Sequence, residues 1–388
     1  MAHTATVQRM SAILPTIIDD IGRLVRCESP STDLAAVARS AEVVSALGTE
    51  ILGVPPERID VAGRTHLRWR LGSGPRHLLL LGHHDTVWPL GSLDRLPFSV
   101  ERGVLRGPGC FDMKAGLVMA FRAIEALDDP DGLTILITGD EELGSPSSRQ
   151  LIEEEAAGLV AVVVAEGAAP DGALKCARKG GSLYEVTIQG RAAHAGLDPG
   201  LGVNAAIEAA HHVLAVVQLA DPETGTTVCP SLLTAGTTSN TVPASASFTV
   251  DVRVSDPAEQ ARVDAAMRSL RPVQPGAGIT VRGGPNRAPM TAEASRDLFL
   301  RAAAIGRALG LPPLACAAVG GASDGNLTAA MGVPTIDGFG AVGGGAHADG
   351  EHVLLEAIPG RTALLSALLA EVLAEARDRS HTPDGDQP

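Results

Sequence analysis

Aromatic side chains are nearly missing from this chain: Phe, Tyr and Trp together make up 2% of 388 residues. Its core must therefore be built from Leu, Val, Ile and Ala. Positive charge is also short, with 31 Lys and Arg against 45 Asp and Glu and a formal net charge of -14. That balance argues against a nucleic-acid or anionic-membrane partner, either of which would call for a basic surface; a small molecule or a metal cation is the expected partner. No stretch approaches the roughly 18 uninterrupted apolar residues of a membrane helix. Pro15, Asp19 and Asp20 interrupt the region where a secretory leader would carry its apolar segment, so a cytoplasmic protein is expected. The cysteines, Cys27, Cys110, Cys176, Cys229 and Cys316, are odd in number, far apart and in no C-x-x-C spacing. Such a set suits a reducing compartment better than a disulfide framework. The closing "EARDRSHTPDGDQP" reads as a frayed polar end.

What the chain does have is length and a repeated apolar pattern. At 388 residues it exceeds one ordinary hydrophobic core, and two domains are expected. Four apolar runs end in polar, Gly-rich sequence: "HLLLLGHHD" (77–85), "LTILITGDEE" (133–142), "LVAVVVAEG" (159–167) and "PTIDGFGAVGGGAH" (334–347). Unbroken runs of this kind suit strands covered on both faces, as in a parallel sheet flanked by helices. Helix-like stretches lie between them, at 113–127 and at 147–157, the latter opening on a Ser cap. The frame is α/β. Between about 181 and 290 the pattern changes to strand, helix, strands, helix, strand, which predicts an inserted α+β domain of ferredoxin-like type with an antiparallel sheet. The expected division is 1–180 and 291–388 for the α/β domain and 181–290 for the insertion.

Each of the four runs carries a candidate ligand at its C-terminal end, where open parallel sheets place their sites. These are His83 with Asp85, Glu141 with Glu142, Glu166, and His347; Asp112 adds another in the Gly-rich "GPGCFDMKAG". Two imidazoles and several carboxylates on one rim form a metal-site inventory. Residues two apart on a strand share a face, so His83 is the candidate ligand, Asp85 can orient it, and His84 is left to packing or solvent. Two adjacent carboxylates repel unless a cation or a shared proton relieves them. One of Glu141 and Glu142 can ligate while the other takes a proton from a metal-bound water. A pair of metals would need a bridging carboxylate, for which Asp112 is the natural choice. Taken singly, each has an ordinary explanation as a strand-end histidine, an acidic turn or a helix-capping acid; the ordered set favours the metal site.

"GHHDTVWPLG", "GPGCFDMKAG", "TGDEELGS", "VVAEG", "RAAHAG", "SNTVPA", "VDVR" and "GGGAHADGEHV" occur in this order. Together they resemble the M20 family of zinc-dependent peptidases and amidohydrolases, in particular its glutamate-carboxypeptidase branch, over about residues 10–370. The resemblance implies a zinc-peptidase-like catalytic domain with two divalent ions, zinc in the first instance, though mixed ligands also admit cobalt or manganese. His83, Asp112 and Glu166 would hold one ion, Glu142 and His347 the other, and Asp112 would bridge. Glu141 would be the general base and Asp85 would orient His83. The insertion would be a lid and the interface of a homodimer, through which His194 would reach the partner's site to stabilise an oxyanion. Arg253 and Asn240 would hold the substrate's carboxylate, with the loop at 320–323 adding backbone contacts. Glutamate at position 166 goes with carboxypeptidases and deacylases, aspartate with aminopeptidases. Ala115 stands where Gly is frequent, and Cys110 and Phe111 precede the bridging Asp; neither removes a ligand. The implied activity is cleavage of an amide to release a C-terminal amino acid. The alternatives are an N-acyl-amino-acid deacylase with the same ligands, a non-catalytic homologue that binds a metal or ligand, and a structural dimerising protein.

Overall fold

The computed structural model describes residues 2–381, with side chains from 5 to 379; the final seven residues of the polar tail lie outside the described residues. The chain divides into two compact units, one of residues up to 177, Ala292–Val319 and the residues from 323 on, the other of Arg178–Thr291 and Gly320–Ala322.

The first unit is organised by a six-stranded sheet in the order Glu57–Val61, Arg64–Arg70, Leu133–Thr138, Leu78–His83, Ala161–Val164, Thr335–Ile336. The last four run parallel, and an antiparallel hairpin extends one edge. The leucine run shows why these segments are strands. Leu78 and Leu80 enter one apolar cluster, while Leu79 and Leu81 enter a second. The alternation of a strand thus feeds a core on each face, and burial of each such side chain is worth about 1.5–3 kcal/mol. Helix Ala115–Glu125 covers one face and helix Arg149–Ala156 supplies Ile152 and Ala156 to the other. The segment Leu355–Arg379, most of it in the long helix Ile358–His381, is long and apolar enough to cross a membrane by length and composition. Its Leu364, Leu365, Leu368, Leu369 and Leu373 are fully buried in the first cluster, the behaviour of a core helix.

Several expectations need correction. The run at 334–347 is not one strand: Thr335–Ile336 joins the large sheet, and Gly343–Gly344 joins a small sheet with His352–Leu354, Val104–Arg106 and Ser99–Glu101. Its glycines break the extended run. Ser148 holds the N-cap position of the helix at Arg149 as expected, but its side chain makes no capping bond; Ser147 and Ser148 donate instead to the carboxylate of Asp140, each Oγ at 2.6 Å. The cysteines are not all free. Cys176 and Cys316 form a disulfide between the paired strands Leu174–Arg178 and Cys316–Val319, 140 residues apart in sequence. Cys27, Cys110 and Cys229 are free thiols.

The second unit runs strand, helix, strand, strand, helix, strand. Its antiparallel sheet has the order Thr227–Ala235, Ser245–Val254, Gly180–Gln189, Gly278–Arg287, a ferredoxin-like arrangement. Strand Ser245–Val254 alternates buried and partly exposed residues. Its buried Phe248, Val250 and Val252 meet Ala205, Ala209 and Val216 of one helix and Val263 and Met267 of the other.

Candidate metal centre and active site

The parallel strands place their C-terminal ends side by side, and the candidate ligands of the first unit gather there. His83 ends its strand, almost fully buried, and its Nε2 lies 3.2 Å from Asp112 Oδ1 and 3.5 Å from Glu166 Oε1. His347 Nε2 lies 3.3 Å from Asp112 Oδ2 and 3.2 Å from Glu142 Oε2. The two oxygens of Asp112 therefore face different imidazoles. Glu141 and Glu142 share a short helical turn, Glu141–Leu143, directly after strand Leu133–Thr138. A ligand atom of Glu141 lies within 4.8 Å of ligand atoms on His83 and Glu166.

Local structure explains how each group is held. Asp112 lies in the turn Cys110–Lys114 that leads into helix Ala115–Glu125. His347 takes a left-handed backbone, φ +62°. The expected partnership of His83 and Asp85 has two parts: His83 Nδ1 stands 3.0 Å from the Asp85 backbone carbonyl and 3.5 Å from carboxylate Oδ1. The carboxylate is mainly occupied elsewhere, accepting from Ser31 Oγ at 2.6 Å and from the backbone N–H groups of Glu141 and Glu142 at 3.2 and 3.3 Å. Asp85 thus ties the first strand end to the turn that presents both glutamates. His84 points away into the protein, buried, with Nε2 3.0 Å from the Thr65 carbonyl; burial lowers its pKa to about 4 and keeps it a neutral packing residue.

The electrostatics follow from crowding acids around two imidazoles. Hydrogen bonds to Asp112 and Glu142 raise the His347 pKa to about 10 against the opposing effect of burial. For His83, burial opposes the charge, but Asp112, Asp85 and Glu166 outweigh it and the pKa rises well above the ordinary value. Burial pushes Glu142 up, with the Asp112 charge adding to it. The same acids that favour two imidazolium protons favour two metal cations in their place, since a ligating imidazole must be neutral. The donor set fits such ions. It mixes imidazole nitrogen with carboxylate oxygen, it contains one carboxylate with an oxygen toward each histidine, and Glu142 Oε1 is buried with no hydrogen-bond partner, an orphan that a cation would satisfy.

Residues that sequence reasoning passed over support this centre. Lys175 Nζ is 3.6 Å from Glu166 Oε2. Buried Asp324 accepts from Thr138 Oγ1 at 3.2 Å and from Ser145 Oγ, bracing the turn of Glu141 and Glu142. Buried Glu351 accepts from the backbone of Asp112 itself. Their partners are remote in sequence, and no local signal marks them. Cys110, two residues before Asp112, is fully buried in the core.

His194, Asn240 and Arg253 belong to the second unit. His194 and Asn240 are exposed and adjacent: an isolated bridge joins His194 to Thr241, and Ala195 N–H donates to the Asn240 carbonyl at 2.9 Å. His194 Nδ1 accepts from the N–H groups of Gly196 and Leu197, both at 3.1 Å. With Nδ1 occupied as an acceptor, Nε2 is the ring nitrogen placed to donate. Arg253 lies apart from these two, on strand Ser245–Val254, in a bidentate pair with Asp251 at 2.8 Å for each bond. Of the loop at 320–323, Gly321 accepts from Arg178 Nη1 at 3.0 Å and Ser323 Oγ donates to Asp337 at 2.6 Å.

A parallel-sheet unit with paired imidazoles and carboxylates at its strand ends defines a metal-dependent hydrolase. The profile of peptidase family M20/M25/M40 matches residues 79–371, and the chain belongs to that family. It is 32% identical to carboxypeptidase G2 of Pseudomonas sp. (strain RS-16), over 96% of this chain and 95% of that protein. It is 27% identical to a succinyl-diaminopimelate desuccinylase of Roseobacter denitrificans, over 90% of this chain and 97% of that one. The crystal structure of aminopeptidase PepT from Bacillus cereus shares the fold, with a TM-score of 0.72 at 21% identity over 93% of this chain and 99% of that one.

Proposed function

We propose that the protein hydrolyses an amide bond in an N-acyl or peptide-like substrate and releases a C-terminal amino acid of glutamate type. The observation that carries this reading is Asp112, whose two oxygens face His83 and His347 with Glu141 beside them. Two divalent ions, zinc in the first instance, would be held by His83, Asp112 and Glu166 and by Asp112, Glu142 and His347. Such ions, when bound, supply Lewis acidity at the scissile carbonyl and lower the pKa of a coordinated water.

The chain's own residues account for the remaining steps. Glu141 is the base: it takes the proton of the attacking water as the C–O bond forms and returns it to the leaving amine as the C–N bond breaks. His194 donates from Nε2 to the developing oxyanion, supplied by a second copy of the chain. A homodimer reading is supported by the second unit's edge strand, where Leu232 and Leu233 are exposed, and by exposed Ile207 and Leu214 on its helix. Arg253, with Asn240, reads the substrate's carboxylate, for which a guanidinium fork is suited. Glu166 favours carboxypeptidase or deacylase chemistry over aminopeptidase chemistry.

A second reading, an N-acyl-amino-acid deacylase, is favoured by the likeness to a desuccinylase and uses the same ligands. Hydrolysis of N-acyl amino acids and folate-type glutamates by metal-replete protein, with and without chelator, tests both. Chelator-sensitive release of glutamate supports the first reading. Chelator-sensitive release that follows the acyl group rather than the amino acid supports the second, and no turnover with two ions bound rejects both substrate classes.

A further inference from the structure

Glu351 is a buried carboxylate, 3% exposed, into which four N–H groups converge. Its Oε1 accepts from the backbone of Phe111 at 2.8 Å and of Asp112 at 3.0 Å. Its Oε2 accepts from the backbone of Gly109 at 2.9 Å and from the indole Nε1 of Trp88 at 2.7 Å. A loop that turns its N–H groups inward ordinarily forms a nest for an external anion. Here the nest is filled by a side chain of the same protein, and that fixes the loop from below.

The location of this side chain matters. Glu351 lies four residues after His347, and the two are connected by a tight turn in which Ala348 N–H donates to Gly345 and Glu351 N–H donates to Ala348, each at 2.9 Å. The following strand, His352–Leu354, pairs with Val104–Arg106, just ahead of the Asp112 loop. The loop also depends on Gly109, whose φ is +70° and where a Cβ would come within 2.5 Å of Thr86. One carboxylate therefore grips the backbone of Asp112 while its own backbone carries His347, whose ring is 3.3 Å from the Asp112 carboxylate.

We propose that Glu351 is a positioning residue that holds Asp112 and His347 in mutual register, so that the two ion positions form together. It touches neither substrate nor ion and acts through the Asp112 backbone. This rests on the metal reading given above. A glutamine at this position keeps the shape but turns an NH2 toward two N–H donors, so the loop must shift.

The test is competitive titration of purified full-length protein with Zn2+ against a chelator, on wild type, Glu351→Gln and Trp88→Phe, with kcat and KM then measured at saturating zinc. Partners that orient metal ligands typically change affinity by roughly 10–100-fold, and a loss of that size is expected for Glu351→Gln, with KM unchanged and most of kcat recovered by excess zinc. Trp88→Phe, which removes one donor of four, is expected to lose several-fold and serves if the first variant does not fold. Wild-type zinc affinity in a folded Glu351→Gln or, failing that, in Trp88→Phe overturns the proposal while leaving the metal reading intact. Wild-type protein that binds no zinc overturns both.

Discussion

His347 Nε2 lies 3.3 Å from Oδ2 of Asp112, the oxygen opposite the one that meets His83. If this carboxylate is shared between two ions, its loss must affect both. Asp112→Asn is expected to bind fewer than two zinc ions per chain and to lose on the order of 10³-fold in kcat/KM, the scale of removing several kcal/mol of charge stabilisation. Metal analysis after dialysis alongside steady-state kinetics measures both effects, and full loading of the variant would contradict the bridging assignment.

Glu141 offers the opposite signature. Glu141→Ala is expected to retain both ions while kcat falls by about 10²–10⁴-fold, the range of a lost general base. Full activity with normal metal content would remove Glu141 from that role.

The two side chains of the second unit should separate kinetically. His194→Ala is expected to lower kcat by roughly 10²–10³-fold with little change in KM, since the contact proposed for it forms only in the transition state. Arg253→Ala is expected to raise KM for carboxylate substrates by about 10–100-fold, from the roughly 1.5–3 kcal/mol of a charge-assisted bond. Equal losses on the corresponding carboxamide substrate would argue against carboxylate recognition.

Away from the site, buried Glu155 is contacted by Arg68, Arg70 and Arg76 at 2.7, 2.8 and 2.7 Å. Burial alone would raise its pKa, but Arg70, Arg68 and Arg76 outweigh that and hold the pKa below the ordinary value. A lowered folded-state pKa means that the stabilisation is complete above the unfolded carboxyl value of about 4.3 and disappears as pH falls through the folded value. Glu155→Gln is expected to cost about 1–3 kcal/mol at pH 7, a gap that narrows in acid. Urea midpoints of both proteins at pH 7 and pH 3.5 check this; a gap independent of pH would contradict it.

The Cys176–Cys316 bond encloses 140 residues of sequence separation within the first unit's own strands. Its reduction, or Cys316→Ser, is expected to lower unfolding free energy by about 2–4 kcal/mol. Denaturation with and without reductant reads this directly; identical curves for oxidised and reduced protein would show the link to be energetically idle.

The ends of the strands Leu78–His83, Leu133–Thr138 and Ala161–Val164 were legible in the sequence because a buried parallel strand leaves an unbroken apolar run, and each of these runs stops within a few residues of the ligand it presents, whereas His347 lies well beyond the short strand Thr335–Ile336. The edge hairpin Glu57–Val61 and Arg64–Arg70 was not, since its charged, alternating residues resemble a solvated loop until Arg64–Arg70 pairs with Leu133–Thr138. Glu351 stood inside a recognised motif without a role, because its meaning lies in N–H groups 239 to 263 residues away. The disulfide was hidden for the same reason. Local pattern reveals which residues face inward, whereas long-range pairing reveals what they hold.

The two histidines of the centre differ in a further respect: the side chain of His83 is 2% exposed and that of His347 is 50% exposed. If two ions occupy this centre, the one beside His347 is the more accessible. Brief contact with a chelator is then expected to yield a half-loaded species before an empty one.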